Sequence, residues 1–227
     1  MKSEKKLQEV INLLKAIESP RADEAARLII DFMIDNVKQN KGELLCRDFV
    51  SKDIYRPVMH FIFHDAEHKT AVATDAHALF ANEAEYIETC GNGLRDILGN
   101  EVGDIGVFPK WFSVLPKQTE DTTIDENLEE IYKKALSEAK IQGGQSNKSK
   151  IFILVNGQQW MSAKHVEFML RAGLDGWKVS SSNAETYYNP LYKEWDGKRL
   201  LLMPAYQDAT PNEIRRKYKY FENDNEI

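Results

Sequence analysis

The chain has little of what would place it outside the ordinary soluble class. It carries only two cysteines, Cys46 and Cys90, too few for a disulfide scaffold. No run approaches the roughly 20 apolar residues of a membrane-spanning helix, and the mean hydropathy is -0.51. The start, Met-Lys-Ser-Glu-Lys-Lys, lacks the apolar core of a secretory signal. Reduced thiols and a cytoplasmic location are therefore expected. Three enzyme signatures are missing: G-x-S-x-G, G-x-x-x-x-G-K-[ST], and a G-x-G-x-x-G between strand and helix. Basic excess is missing too. Thirty Lys and Arg against 36 Asp and Glu give a net charge of -6, which excludes a protein whose whole surface grips nucleic acid, though not one with a single basic face.

What is present fits a globular fold: 227 residues, 42% apolar and 29% charged. Leu7, Val10, Ile11, Leu13, Leu14 and Ile17 recur at helical spacing. Ser19-Pro20 starts a second helix with Leu28, Ile29, Phe32, Met33 and Val37 inward. Residues 1–40 therefore read as a helical hairpin, a packing or dimerising appendage. Residues 41–207 read as one domain of two halves, 43–117 and 150–206. In the first half, Glu43–Phe49 is expected as a strand and Ser51 to Met59 as a short capped helix. His60–His64 is expected as a strand, and Lys69–Phe80 as a strand pair or one long bent strand. Residues 88–107 carry five glycines and read as irregular.

Leu128–Ile141 reads as an amphipathic helix, followed by a Gly/Ser linker at 143–150. The second half begins with a strand at Ile151–Val155. A helix from Ser162 to Ala172 follows, stopped by Gly173. Strands at Trp177–Ser181, Tyr187–Trp195 and Arg199–Met203 complete it, the last two joined by an Asp196-Gly197 hairpin. The expected class is α+β, with two β-α-β-β-β halves and a charged tail at 208–227.

Three segments resemble the bacterial DNA polymerase III sliding clamp, or β clamp, family. Val72-Ala73-Thr74-Asp75-Ala76-His77-Ala78-Leu79 is similar to its V-A-T-D-G-H-R-L signature. Phe108-Pro109-Lys110-Trp111-Phe112-Ser113-Val114-Leu115-Pro116 is similar to F-P-x-[YF]-x-x-V-L-P. Leu200-Leu201-Leu202-Met203-Pro204 resembles the closing strand, with Asn189-Pro190-Leu191 upstream resembling the opening of the last hairpin. Ala76 and Ala78 stand where the family has Gly and Arg. The resemblance implies a DNA-clamp-like fold and a noncatalytic protein with no cofactor. It further implies an apolar cleft for linear peptides of DNA replication and repair proteins, formed by Thr74, His77, Leu79, Pro109, Val114, Leu201 and Met203. A full clamp chain has three domains and this one is shorter, so encircling double-stranded DNA would require a homo-oligomer. No membrane partner is implied.

Two further features bear on function. His60, His64, His68 and His77 lie close in sequence to Asp65 and Asp75, so a metal-dependent enzyme is an alternative, as is a degenerate clamp-fold assembly adaptor. No H-E-x-x-H or C-x-x-C spacing accompanies these histidines, and no metal is expected. Arg215, Arg216, Lys217 and Lys219, beside Tyr218 and Tyr220, form the one basic-aromatic cluster and a weak nucleic-acid candidate. Lys164, Arg171 and Lys178 would add to a basic face if clamp-like helices lined DNA.

Overall fold

The computed structural model describes residues 43–51, 53, 55–103, 105–141, 148–156, 159–181 and 189–205, with scattered positions between Val10 and Ile29. The chain divides into two compact units, Met1–Glu43 and Leu44–Ile227. In the first, Val10, Leu13, Arg21, Ala22, Ala25 and Ile29 are helical. The rest of the expected hairpin, like the tail from 206, lies outside the described residues.

The second unit is mixed α+β. Its strands are β1 (Ile62–Asp65), β2 (Thr70–Thr74), β3 (Ala78–Asn82), β4 (Gly93–Arg95), β5 (Glu101–Val102), β6 (Thr119–Asp121), β7 (Phe152–Val155), β8 (Gln159–Ser162), β9 (Trp177–Ser180), β10 (Leu191–Trp195) and β11 (Lys198–Leu202). Its helices are α1 (Leu128–Ile141) and α2 (Ala163–Ala172). Nine strands form one antiparallel sheet in the order β5-β4-β1-β2-β3-β11-β10-β9-β6, and β7 and β8 form a separate ribbon. The sheet is closed in its middle by β3 against β11, with Leu79 opposite Leu201 and Phe80 opposite Leu200. That pairing joins the two expected halves edge to edge.

Period-2 alternation then sorts the side chains between two faces. One face packs Val72, Leu79, Ala81, Leu94, Tyr192 and Leu201 with Phe108 and Trp111. On the other, Phe49 stacks on Phe80 at 4.9 Å and tilts against Phe168 of α2 at 4.3 Å. Both caps of α2 are visible in the sequence. Ser162 Oγ accepts the His165 N–H at 3.2 Å, and Gly173 takes φ 83° at the end. Lys193 adds what spacing does not show: its Nζ donates to the carbonyls of Ala172 and Gly173 at 2.7 and 2.9 Å. Asp196 and Gly197 both take positive φ, 44° and 71°, as a tight hairpin between β10 and β11 requires.

Two expected elements differ. Cys46–Phe49 is a 3-10 turn, not part of a strand. Asp48 Oδ2 accepts the Leu45 N–H at 3.0 Å and pairs with Arg171 at 2.7 Å, which curls the segment and drives Phe49 into the core. The short helix after Ser51 is reduced to a 3-10 turn at Pro57–His60: Ser51 Oγ accepts the Asp53 N–H, and Pro57 sets the start of the turn. The first half therefore has no α-helix among its described residues. β8 is an addition. All four of its residues are buried, so no alternation marks it.

Candidate functional site

The turn between β2 and β3 is built from its own side chains. Thr74 Oγ1 donates to the Ala78 carbonyl at 2.8 Å and accepts the Ala76 N–H at 3.0 Å. Asp75 Oδ1 accepts the N–H groups of His77 and Ala78 at 3.0 and 2.8 Å. Ala76 sits at φ 72°, the left-handed region that favours glycine. The other oxygen of Asp75 meets Lys164 Nζ of α2 at 2.6 Å. Burial pushes the Asp75 carboxyl up, but the Lys164 ammonium and the two N–H donors outweigh it and hold its pKa below the usual range. Lys164 also lies 5.5 Å over the Phe168 ring.

This turn, the start of α2 and the strand end after β11 enclose a cavity of about 430 Å³. Asp75, Ala76, His77, Ser149, Phe152, Ser162, Lys164, His165, Met203, Pro204 and Ala205 line it. Two backbone bonds fix its outer wall: Met203 N–H to the His77 carbonyl at 2.8 Å, and Ala205 N–H to the Trp160 carbonyl at 2.7 Å. His165 is buried at the floor, and its Nδ1 meets no partner. Burial pushes its pKa down to about 4, more than Asp75 nearby raises it. The imidazole is therefore neutral at physiological pH, beside a Lys164–Asp75 pair that is neutral as a unit. A small apolar wall (Phe152, Met203, Pro204, Ala205) faces this polar floor, a composition suited to a peptide side chain rather than to a free ion.

The seven residues implied as a cleft separate into three groups. His77 and Met203 line the cavity, with Met203 38% exposed. Leu79 and Leu201 face each other across β3 and β11 in the buried cluster, at 5% and 4% exposure, and Thr74 is buried with its hydroxyl spent on the turn. Pro109 and Val114 stand exposed on the segment that covers that cluster. The segment is anchored by Trp111, whose Nε1 donates to Asp65 Oδ2 at 2.7 Å. His68 Nδ1 reaches the same oxygen at 2.8 Å, and its ring stacks on Phe112 at 4.4 Å. The three clamp-similar segments thus meet around one cluster, but only two of the seven side chains open into the cavity.

Each histidine has separate surroundings. His60 Nε2 donates to the Asp53 carbonyl, His64 accepts the Ile87 N–H, His68 meets Asp65, and His77 is exposed. No group of three or more His, Cys, Asp or Glu placed to hold a metal ion occurs among the described residues. Of the residues expected on a basic face, Arg171 is committed to Asp48 and Lys164 to Asp75, while Lys178 is exposed. Arg215, Arg216, Lys217 and Lys219 lie outside the described residues. Sequence reading overlooked Phe152 and His165 as wall and floor. Ser162 as a helix cap was the one signal that α2 begins here, and nothing local marks Asp75 and Lys164, 89 residues apart, as a pair.

No family model matches the chain, and no curated protein sequence matches it. Among solved structures it is similar to a DNA polymerase sliding clamp from Bacillus subtilis, at 13% identity and a TM-score of 0.46. The match covers 78% of this chain and 63% of that one, so the chain spans less than two thirds of that structure's length. No helix among the described residues is long and apolar enough to cross a membrane.

Proposed function

We propose that this chain is a noncatalytic, clamp-like protein that binds linear peptide motifs of DNA replication or repair proteins at the cavity beside Met203. The observation that carries the reading is convergence. The three segments similar to the β clamp family lie far apart in sequence, yet β3 pairs with β11 and the Trp111 segment packs on both. His77 and Met203 form the mouth. An apolar side chain of the peptide enters against Phe152 and Pro204. In this reading the chain associates with double-stranded DNA only as a homo-oligomer. The test is titration of a fluorescent clamp-motif peptide. Met203→Ala and His77→Ala are each expected to weaken binding about tenfold, roughly 1.4 kcal/mol, without loss of fold. Full affinity in both variants would remove the site.

The degenerate-adaptor reading is favoured by one observation. Thr74, Leu79 and Leu201, three of the seven cleft residues, are consumed in the interior. It predicts a folded protein with no peptide affinity in the same titration.

A further inference from the structure

Strands β1 and β4 set two hydrogen-bond donors side by side, on the sheet face opposite Phe63, Leu94 and the Trp111 cluster. The register pairs Arg95 with Ile62 and Gly93 with His64. Arg95 and His64 are therefore diagonal neighbours on one face, and Gly93 adds no side chain beside His64. The Arg95 side chain is only 15% exposed, yet its pair with Glu101, Nη1 to Oε2, is 3.6 Å long. Its Nε is buried with no partner, and the guanidinium donates no hydrogen bond among the described residues. Withdrawing a guanidinium from water on those terms is unfavourable. His64 is 3% exposed, and its Nδ1 accepts the Ile87 N–H at 3.3 Å. The ring proton therefore stands on Nε2, which donates to nothing among the described residues. Burial and then the Arg95 charge push the His64 pKa down, so the ring is a neutral donor beside a full positive charge. Tyr86 walls the same space, its ring 6.0 Å from that of His64.

We propose that Arg95 and His64 form a phosphate site, which takes inorganic phosphate or the phosphate monoester of a small molecule. Burial of Nε leaves the Nη1 and Nη2 end of the guanidinium as its open edge. With the His64 Nε2–H, that edge presents three donors and one full charge. A phosphate monoester brings three terminal oxygens and about 1.5 to 2 negative charges at neutral pH, so every donor meets an oxygen in a charge-assisted bond. A carboxylate or a phosphodiester brings two such oxygens and a single charge, and leaves one donor unmet. The low exposure of both side chains suits a small ligand that enters by its phosphate end. Glu101, with a side chain 79% exposed, is the contact that the ligand displaces from Nη1. No residue of the cavity beside Met203 takes part, so this site stands or falls apart from peptide binding.

The test is calorimetric titration of the full-length protein with inorganic phosphate, in phosphate-free buffer at fixed ionic strength. Saturable binding at one site is expected. Arg95→Met and His64→Phe should each weaken it about tenfold or more, the loss of a hydrogen bond to a charged group. Arg95→Lys, which keeps the charge and loses the fork, should fall between. Glu101→Gln should tighten binding about threefold, the loss of a weak competing pair. It alters only an exposed side chain, so it keeps the test decisive if His64→Phe does not fold. Thermal unfolding gives a second readout. Phosphate should raise the Tm of the unsubstituted protein and leave that of Arg95→Met unmoved. Without phosphate, Arg95→Met should be at least as stable as the unsubstituted protein, because no buried partner is left behind. Methyl phosphate distinguishes the two sources. Binding equal to that of inorganic phosphate assigns the site to esters, binding tenfold weaker assigns it to the free anion, and either supports the site. The inference is overturned by no saturable binding, by undiminished binding to Arg95→Met, or by unchanged or weaker binding to Glu101→Gln. Acetate or dimethyl phosphate binding as tightly as phosphate would overturn it too, because the site would then read charge alone.

Discussion

Asp75 receives two backbone N–H groups on one oxygen and the Lys164 ammonium on the other, with its side chain 15% exposed. Removing it leaves Lys164 without its charge partner and unties the turn. Asp75→Ala should cost about 3 kcal/mol in urea unfolding, and Lys164→Met less, because the carboxylate keeps its N–H donors. Ala76 makes the opposite prediction. At φ 72° it holds a conformation that costs an L-residue roughly 1–2 kcal/mol, so Ala76→Gly should raise stability by about 1 kcal/mol after the added chain entropy. A loss of stability instead would mean that the turn is not left-handed in solution. His165 sets the acid response. Its folded pKa of about 4 lies below the unfolded 6.5, so between those values the unfolded chain binds the extra proton. Stability should be complete above pH 6.5 and fall by about 3 kcal/mol toward pH 4. His165→Gln should flatten that slope, and an unchanged slope would assign the acid loss to other groups.

Among elements, the covering segment at 108–116 is the most exposed to test. The buried Phe108 and Trp111 rings hold it on the sheet, and the Trp111 bond to Asp65 is its buried polar anchor. Trp111→Phe keeps a ring but leaves Asp65 short of a donor, and should cost about 1–3 kcal/mol, with faster amide exchange confined to that segment. The regular elements were largely legible. α1 and α2 showed through helical periodicity and the Ser162 and Gly173 caps, and the β10–β11 hairpin through Asp196-Gly197. Where reading failed, tertiary contacts overrode local pattern. Glu43–Phe49 has strand-like composition, but Phe49 serves the core better from a 3-10 turn, stacked between Phe80 and Phe168. The site was legible only in part. The motif segments located the neighbourhood, yet the split of Leu79 and Leu201 to the interior and of His77 and Met203 to the cavity depends on sheet register, which no short motif carries.

For the whole molecule, the decisive feature is that one sheet joins the two halves through β3 and β11. A perturbation there should be global. Leu79→Ala is expected to cost 2–5 kcal/mol and so reports on folding, whereas Met203→Ala reports on the cavity. This difference makes methionine methyl groups a direct probe. Met161 and Met169 are fully buried in the second unit, while Met203 is part exposed at the cavity mouth. The measurement is methyl-resolved NMR of methionine-labelled, full-length protein during addition of a clamp-motif peptide. The account predicts a saturable shift of the Met203 methyl, with Met161 and Met169 unmoved. An unmoved Met203 at saturating peptide would contradict the account, as would shifts of all three methyls together.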